Sequence, residues 1–159
     1  MNYSNGRGIG PAKAVKVKAA LELGKRIKEL PFQEKVNCNS SKKAYDILFS
    51  VLSYLEQEEF WVLYLNIQNH VLLKKCLSNG GISETTVDVR LLFKNAIRLG
   101  ATSLIVAHSH PSGTLSPSRS DEVLTAKIKK VGENLDIKLL DHLIISEKGY
   151  FSFADKKLL

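Results

Sequence analysis

The sequence predicts an α/β (α+β) domain with a mixed central sheet, helices packed on that sheet and a helical N-terminal appendage. Segments in which apolar residues recur at helical spacing alternate along the chain with short, continuous apolar runs typical of buried strands. The chain has 159 residues, of which 44% are hydrophobic and 25% charged, an ordinary balance that allows one hydrophobic core. The excess of basic over acidic residues lies in the N-terminal quarter, which sets that segment apart.

The N-terminal appendage is predicted to be one helix over residues 11–30. Pro11 suits the first position of a helix, the residues behind it carry an apolar stripe with the lysines largely elsewhere, and Pro31 ends the helix. A polar stretch follows and ends in serines that can cap the next helix. We therefore divide the chain into a basic appendage, residues 1–34, and a domain, residues 35–159.

The charge distribution distinguishes these two parts. Residues 1–43 contain ten Lys or Arg and three Asp or Glu, whereas residues 44–159 contain 13 of each kind. The formal net charge of +7 therefore belongs to the N-terminal segment. A basic segment of this kind either binds nucleic acid or is a solvated helix that aids solubility, and the charge count leaves both interpretations open.

The domain is predicted to alternate between helices and strands. The apolar run from Phe60 to Leu65 is continuous, as expected for a central strand covered on both faces, and Gly100 closes a helix from the C′ position. The helices are predicted over residues 42–56, 88–99 and 118–135, and the strands over residues 60–65, 71–77, 103–107, 137–145 and 150–153.

Composition and cysteine usage predict a soluble cytoplasmic protein. The first ten residues are polar and glycine-rich, without the apolar region of a secretory signal, and the longest apolar runs are too short to span a bilayer. Cys38 and Cys76 are far apart and match no paired spacing, so we expect both to be reduced thiols.

Two histidines and an aspartate have the spacing of a zinc site. His108 and His110 stand where a buried strand ends, and side chains two residues apart on a strand point to the same side. Asp121 follows in the first turn of the next helix, after a loop long enough to return its carboxylate to the two rings. Two imidazoles and a carboxylate suit Zn²⁺, and three protein ligands leave the fourth tetrahedral position open, as in catalytic sites.

Local helix capping is the alternative explanation for part of this pattern. Ser118 is a suitable N-cap, and Asp121 an acidic residue in the first turn. Capping alone would account for these two residues. It would not account for two histidines on one face of the strand that enters the same loop.

The loop sequence resembles a known metalloprotease motif. The segment His108-Ser-His-Pro-Ser-Gly-Thr-Leu-Ser-Pro-Ser-Arg-Ser-Asp121 resembles the JAMM motif of MPN-type metalloproteases, and especially that of the bacterial RadC-like branch. The resemblance covers residues 35–159 and includes Leu140-Asp141-His142 and the closing Tyr150-Phe151-Ser152-Phe153. It implies the MPN/JAMM fold, which is cytidine-deaminase-like, with one Zn²⁺ per chain held by His108, His110 and Asp121.

The resemblance also implies a serine and a glutamate with catalytic roles. Ser118 resembles the donor that stabilises the oxyanion of the transition state, and its hydroxyl can both donate and accept. The family places a general base at the start of a central strand, where this sequence offers Glu56, Glu58 and Glu59. The pattern Glu-x-Phe selects Glu58. Because neighbouring strand residues face opposite ways, Glu58 and Glu59 cannot both point at the metal.

The function implied by this resemblance is zinc-dependent hydrolysis of an amide or isopeptide bond in a peptide or protein substrate, by zinc-bound hydroxide. A rival interpretation is a DNA-associated protein in which the MPN fold is a binding platform without activity. A metal-dependent nuclease is disfavoured, since one metal with histidine ligands and no acidic cluster suits it poorly. The sequence predicts no particular oligomeric state.

Three further features of the sequence resemble the same family. Gly8-Ile9-Gly10-Pro11-Ala12-Lys13 resembles the hairpin of a helix-hairpin-helix module, in which glycines and a helix N-terminus approach a DNA phosphate. Seven residues precede Gly8, too few for the first helix of that module, so we expect weak, non-specific DNA binding through Gly8, Gly10 and Lys13. Arg90 is expected near the cleft. Asp141 and His142 are expected to form a buried supporting pair and not to bind metal.

Overall fold

In the computed structural model, residues 10–28, 36–53, 55–79 and 87–159 are described. The chain divides into two compact units, Met1–Leu30 and Pro31–Leu159. In the first unit, helix α1 spans Pro11–Lys28 and begins where the carbonyl of Gly10 accepts hydrogen bonds from the backbone of the first turn. None of the helices in the described ranges is both long and apolar enough to cross a membrane.

The described part of the second unit contains helices and strands in the predicted order. The helices are α2 Ser41–Leu52, α3 Val89–Leu99 and α4 Arg119–Asn134. The strands are β1 Glu59–Leu65, β2 Val71–Asn79, β3 Ser103–Ser109, β4 Lys138–Ser146 and β5 Gly149–Ser152.

The five strands form one mixed sheet in the order β2-β1-β3-β4-β5. The β3–β4 pair is parallel and the other pairs are antiparallel, which confirms the predicted mixed sheet. A parallel pair requires a crossover connection, and α4 supplies it. Side chains from α2 pack on one face of the sheet, and side chains from α3 and α4 pack on the other. This arrangement buries β1 and β3 on both sides, as the continuous apolar run at Phe60 to Leu65 predicted.

Two predicted boundaries were wrong in ways that affect the site. Helix α2 ends at Leu52 and not at residue 56, and Ser53 follows as its C-cap, where its hydroxyl and its backbone N–H both donate to the carbonyl of Phe49. Strand β3 extends beyond residue 107 to Ser109, because its pairing with β4 continues to that point. His108 therefore lies inside the strand.

The register of β1 against β3 determines which residues meet at the edge of the sheet. The two strands are antiparallel and Phe60 pairs with His108, so the residues just before β1 lie beside the end of β3. Because β3 leads into α4, the first turn of that helix lies over the same edge. The start of β1, the end of β3 and the start of α4 thus converge.

Candidate metal centre

His108, His110 and Asp121 bring their ligand atoms together at this edge. One ligand atom from each residue lies within 4.8 Å of those of the other two. The two Nε2 atoms are 3.0 Å apart, His108 Nε2 lies 3.2 Å from Asp121 Oδ1, and His110 Nε2 lies 3.8 Å from Asp121 Oδ2. His108 and Asp121 are largely buried, so their polar atoms are partly shielded from water.

These distances fit the donor set of a tetrahedral zinc ion. Zinc bonds of roughly 2.0–2.1 Å to nitrogen and oxygen at tetrahedral angles separate neighbouring ligand atoms by about 3.3 Å. The observed separations of 3.0, 3.2 and 3.8 Å lie around that value. Two imidazoles and one carboxylate are also the ligand types that zinc prefers. The residues present therefore fit the ion that the sequence predicted.

The hydrogen bond of His110 determines which of its nitrogens faces the centre. Its Nδ1 lies 2.8 Å from the carbonyl oxygen of Thr114. A carbonyl can only accept, so Nδ1 carries the proton and Nε2 of the neutral ring presents a lone pair. A turn from His110 to Gly113 begins the loop that contains Thr114. The Gly113 backbone N–H donates to the His110 carbonyl, and Gly113 adopts a φ of 77°, a conformation that favours glycine.

His108 is supported from behind by a second buried histidine. Its Nδ1 lies 2.9 Å from Nε2 of His142, and the Nδ1 of His142 lies 2.6 Å from the hydroxyl of Thr125. Burial, together with the positive charge that His108 and His110 can carry, holds the pKa of His142 well below its ordinary value. His142 is therefore a neutral ring. Phe60 stacks on His108 with 6.3 Å between ring centroids.

Asp121 is held by the helix cap that the sequence offered as an alternative. The backbone N–H and the hydroxyl of Ser118 each donate to Asp121 Oδ2 at 2.7 Å, and the Asp121 backbone N–H donates back to the hydroxyl. Burial raises the pKa of this carboxyl, but the neighbouring His108 and the two hydrogen bonds from Ser118 outweigh it and hold the pKa well below its usual range. Asp121 is therefore an anion that caps its helix and faces the histidines.

The two glutamates at the start of β1 point to different sides. Glu58 lines the cavity of about 1070 Å³ that also contains the two histidines, Asp121 and Ser118. Glu59 Oε2 instead accepts a hydrogen bond of 2.8 Å from the indole N–H of Trp61, which packs on the α2 face. This difference follows from strand alternation, and it puts Glu58 on the same side as the two histidines and Asp121.

Comparisons with known proteins agree with this architecture. A family model described as the RadC-like JAB domain matches residues 38–158. The chain belongs to this family. It is 52% identical over 150 residues to a UPF0758 protein of Flavobacterium johnsoniae, covering 94% of this chain and 66% of that protein. It is 47% identical over 156 residues to a UPF0758 protein of Porphyromonas gingivalis, covering 96% and 68% of the two chains. The chain thus spans about two thirds of the length of the curated relatives it matches.

Asp141 and His142 are both buried and hydrogen-bonded in this RadC-like JAB domain, as predicted. Asp141 Oδ1 accepts from the backbone N–H groups of His142 and Ala154, and Oδ2 accepts from the hydroxyl of Ser152. The Asp141 side chain therefore connects β4 to β5 and to the segment that follows β5. Because neighbouring strand residues face opposite ways, it does so on the face of the sheet opposite to the His142 ring. Neither residue belongs to the group of potential ligands found among the described residues.

Sequence reasoning missed Ser109, the residue between the two histidines. Ser109 is 1% exposed, accepts a hydrogen bond of 3.0 Å from the Glu59 backbone N–H and donates one of 3.3 Å to the Gln57 carbonyl. It therefore holds the backbone on both sides of Glu58. The His-Ser-His sequence could have indicated this position. When two residues on a strand face one side, the residue between them must face the other side.

Four other residues were predicted to take part in function or to border the site. Arg90 is highly exposed, lies 3.6 Å from Asp88 Oδ1 and lines a groove between α3 and α4. Val87 and Lys127 line both this groove and the His–Asp cavity, so Arg90 lies near the cavity without lining it. Gly10 and Lys13 are exposed at the start of α1 in the first unit. Gly8 lies outside the described residues.

Proposed function

We propose that this RadC-like JAB domain is a zinc-dependent hydrolase that cleaves amide or isopeptide bonds in peptide or protein substrates. The observation that carries the proposal is the convergence of His108, His110 and Asp121, with ligand atoms within 4.8 Å, in a cavity that Glu58 and Ser118 also line. Ligands, a general base and a hydroxyl donor are the groups that this reaction class requires. The relatives' names state no activity, so the proposal depends on the site.

Each protein group has a separate task in the proposed reaction. When bound, zinc supplies a Lewis acid and makes a water molecule acidic enough to react at neutral pH. Glu58 removes the proton from the attacking water and later delivers it to the leaving amine nitrogen. Glu58 is exposed in the cavity wall, where solvent and substrate can both reach it. Ser109 holds the backbone that carries Glu58 against β3, which limits the positions its carboxylate can take.

Ser118 is proposed to donate to the oxyanion that forms from the substrate carbonyl. A hydroxyl carries one proton, and the Ser118 proton is donated to Asp121 Oδ2 at 2.7 Å. Donation to a substrate oxygen therefore requires Ser118 to exchange this partner. The Ser118 backbone N–H, also 2.7 Å from Oδ2, can continue to hold Asp121 during that exchange.

The proposal is tested by replacing Glu58 and Glu59 separately by glutamine. The substrate is a peptide library whose cleavage products are read by mass spectrometry. Glu58→Gln should lower turnover by about a hundredfold or more, the usual contribution of a general acid–base group, and should leave zinc content unchanged. Glu59→Gln is the matched control, because a glutamine oxygen can still accept from Trp61. Loss of activity in Glu59→Gln alone would contradict the assignment.

Elemental analysis tests the metal in the same proteins. The protein purified without chelator should hold about one zinc per chain, as expected for a site with three protein ligands. His108→Ala and Asp121→Ala should both lose the metal, whereas His70→Ala, at the turn before β2, should retain it. Undiminished zinc in the first two variants would refute the ligand assignment.

A further inference from the structure

Two buried side chains outside the ligand set connect His108 to Asp121. His108 Nδ1 lies 2.9 Å from His142 Nε2, and His142 Nδ1 lies 2.6 Å from the hydroxyl of Thr125. That hydroxyl donates a hydrogen bond of 2.6 Å to the backbone carbonyl of Asp121, one helical turn earlier. An unbroken series of hydrogen bonds thus runs from one ligand to the residue that supplies another.

The proton in each of these hydrogen bonds can be assigned from the Asp121 end. A backbone carbonyl only accepts, so the Thr125 hydroxyl must give its proton to Asp121, and its oxygen is left to accept from His142 Nδ1. A neutral imidazole with a proton on Nδ1 has an acceptor at Nε2, so His142 accepts from His108 Nδ1. His108 then has its lone pair on Nε2, the atom that faces Asp121 and His110.

Burial disfavours other arrangements of the protons in this series of hydrogen bonds. Thr125 is 3% exposed and His142 is fully buried, so water cannot readily supply an alternative partner. His142 is also held by Phe153, whose ring stacks on it with a centroid distance of 4.9 Å. Its Nε2 faces His108 Nδ1, on the side of the His108 ring away from the cluster, so His142 is not placed to be a fourth ligand.

We infer that Thr125 and His142 are positioning residues that fix His108 in the tautomer able to bind the metal through Nε2. This inference rests on the zinc site of the proposed function. The two residues also connect β3, β4 and the first turns of α4, so the orientation of His108 is coupled to the helix that carries Asp121. Groups that hold the second nitrogen of a ligand histidine commonly change metal affinity by about 10–100-fold when removed.

Zinc affinity distinguishes this role from simple packing. Thr125→Val keeps the shape of the side chain but removes the hydroxyl, so His142 loses the acceptor for its Nδ1 proton. Its ring can then carry the proton on Nε2 and force His108 into the wrong tautomer. Thr125→Val should bind zinc about 10–100-fold more weakly in a chelator competition, whereas Thr125→Ser should keep the wild-type affinity. Equal affinity of Thr125→Val and wild type would overturn the inference.

Histidine tautomers measured by NMR in the metal-free protein provide a readout independent of zinc and of activity. Long-range ¹H–¹⁵N correlations should show protons on Nδ1 of His108 and His142 in the wild type and in Thr125→Ser, and a shift toward Nε2 in Thr125→Val. An Nε2 proton on His142 in the wild type would overturn the inference. If the wild type shows the expected tautomers but binds no zinc, the proposed function fails while the proton order stands.

Discussion

Asp121 uses its two carboxylate oxygens for different purposes. Oδ2 accepts both hydrogen bonds from Ser118, and Oδ1 lies 3.2 Å from His108 Nε2. Helix capping and metal binding are therefore compatible at this residue, although each alone could explain its place in the sequence. The cap also limits the rotation of the Asp121 side chain, so the carboxylate is oriented before any ion binds.

Ser109 provides a test at the scale of one residue. Ser109→Ala removes the hydroxyl that bonds the backbone on both sides of Glu58, while both histidines keep their strand positions. We expect zinc content to be unchanged and turnover to fall by about 10–100-fold, since small displacements of catalytic groups have effects of this size. Thr102→Ala is the control, because it removes an exposed hydroxyl just before the opposite end of β3. Wild-type turnover in Ser109→Ala, or loss of zinc, would contradict the role.

Cys38 provides a pH-dependent test at the same scale. Burial raises the pKa of its thiol from 9.0 to about 11, and the nearby Lys43 only partly offsets this effect. Between these two values the unfolded thiol ionises and the folded one does not, so the free energy of unfolding should fall as pH rises from 9.0 toward 11. Urea titrations across this range should show a smaller fall for Cys38→Ala than for the wild type. Equal slopes would show that Cys38 does not contribute.

At the scale of the element, α4 links the site to the packing of the sheet. Its N-cap and first turn supply Ser118 and Asp121, and its next turn supplies Thr125 toward His142. Its last turn contains Gly132, whose carbonyl accepts from the backbone N–H groups of Leu135 and Ile137 as the chain turns back to β4. One helix thus positions the carboxylate of Asp121 at one end and leads into the parallel strand at the other.

Gly132→Ala tests how closely this helix approaches the chain that follows it. An added Cβ at Gly132 would lie 2.3 Å from the carbonyl oxygen of Ile137, which belongs to the backbone and cannot move aside easily. Alanine favours helices by about 1 kcal/mol over glycine, but the clash should dominate and lower the free energy of unfolding by about 1–3 kcal/mol. Urea denaturation measures this loss.

The matched control is Gly24→Ala in α1, where nothing lies within 4 Å of the added atom. This variant should gain helix content without a loss of stability. A Gly132→Ala protein as stable as the wild type would show that the turn after α4 can relax.

At the scale of the whole molecule, the chain consists of a basic first unit and a nearly neutral second unit. Residues 1–30 contain seven Lys or Arg and two Asp or Glu, so the remaining chain has a net charge of +2. The family model matches residues 38–158, which lie within the second unit. The candidate metal centre and the basic helix α1 therefore belong to different units and can be tested separately.

The charge difference between the units predicts that duplex DNA binds through the basic first unit. The full chain should bind weakly and without sequence preference, and binding should weaken steeply with salt because phosphate contacts release counterions. Removing residues 1–30 should eliminate most of this binding and leave zinc bound. Replacing Lys13, Lys16 and Lys18 by glutamine in the full chain should weaken binding in the same direction. Filter-binding titrations in which the shortened chain matches the full one in affinity and salt slope would contradict the prediction.

The sequence alone was sufficient for those parts of the fold and site that depend on local geometry. His108 and His110 share a side because strand side chains alternate, and Ser118 and Asp121 meet because N-cap and N3 positions are always close. The element types were confirmed for the same reason, since helical and strand periodicities are local patterns. Helix and strand ends were less predictable: residues 53–56 contain no glycine or proline to mark the end of α2, and β3 continues because β4 lies beside it.

Only the tertiary structure decided which distant residues join the site. The antiparallel pairing of Phe60 with His108 brings Glu58 beside the ligands, and Trp61 holds Glu59 on the other face. The contact of His108 with His142 joins residues 34 positions apart. It depends on β3 lying beside β4, and the periodicity of the sequence does not specify which strands are neighbours. Strand order and register are set by the packing of the whole sheet against α2, α3 and α4, so no local pattern contains them.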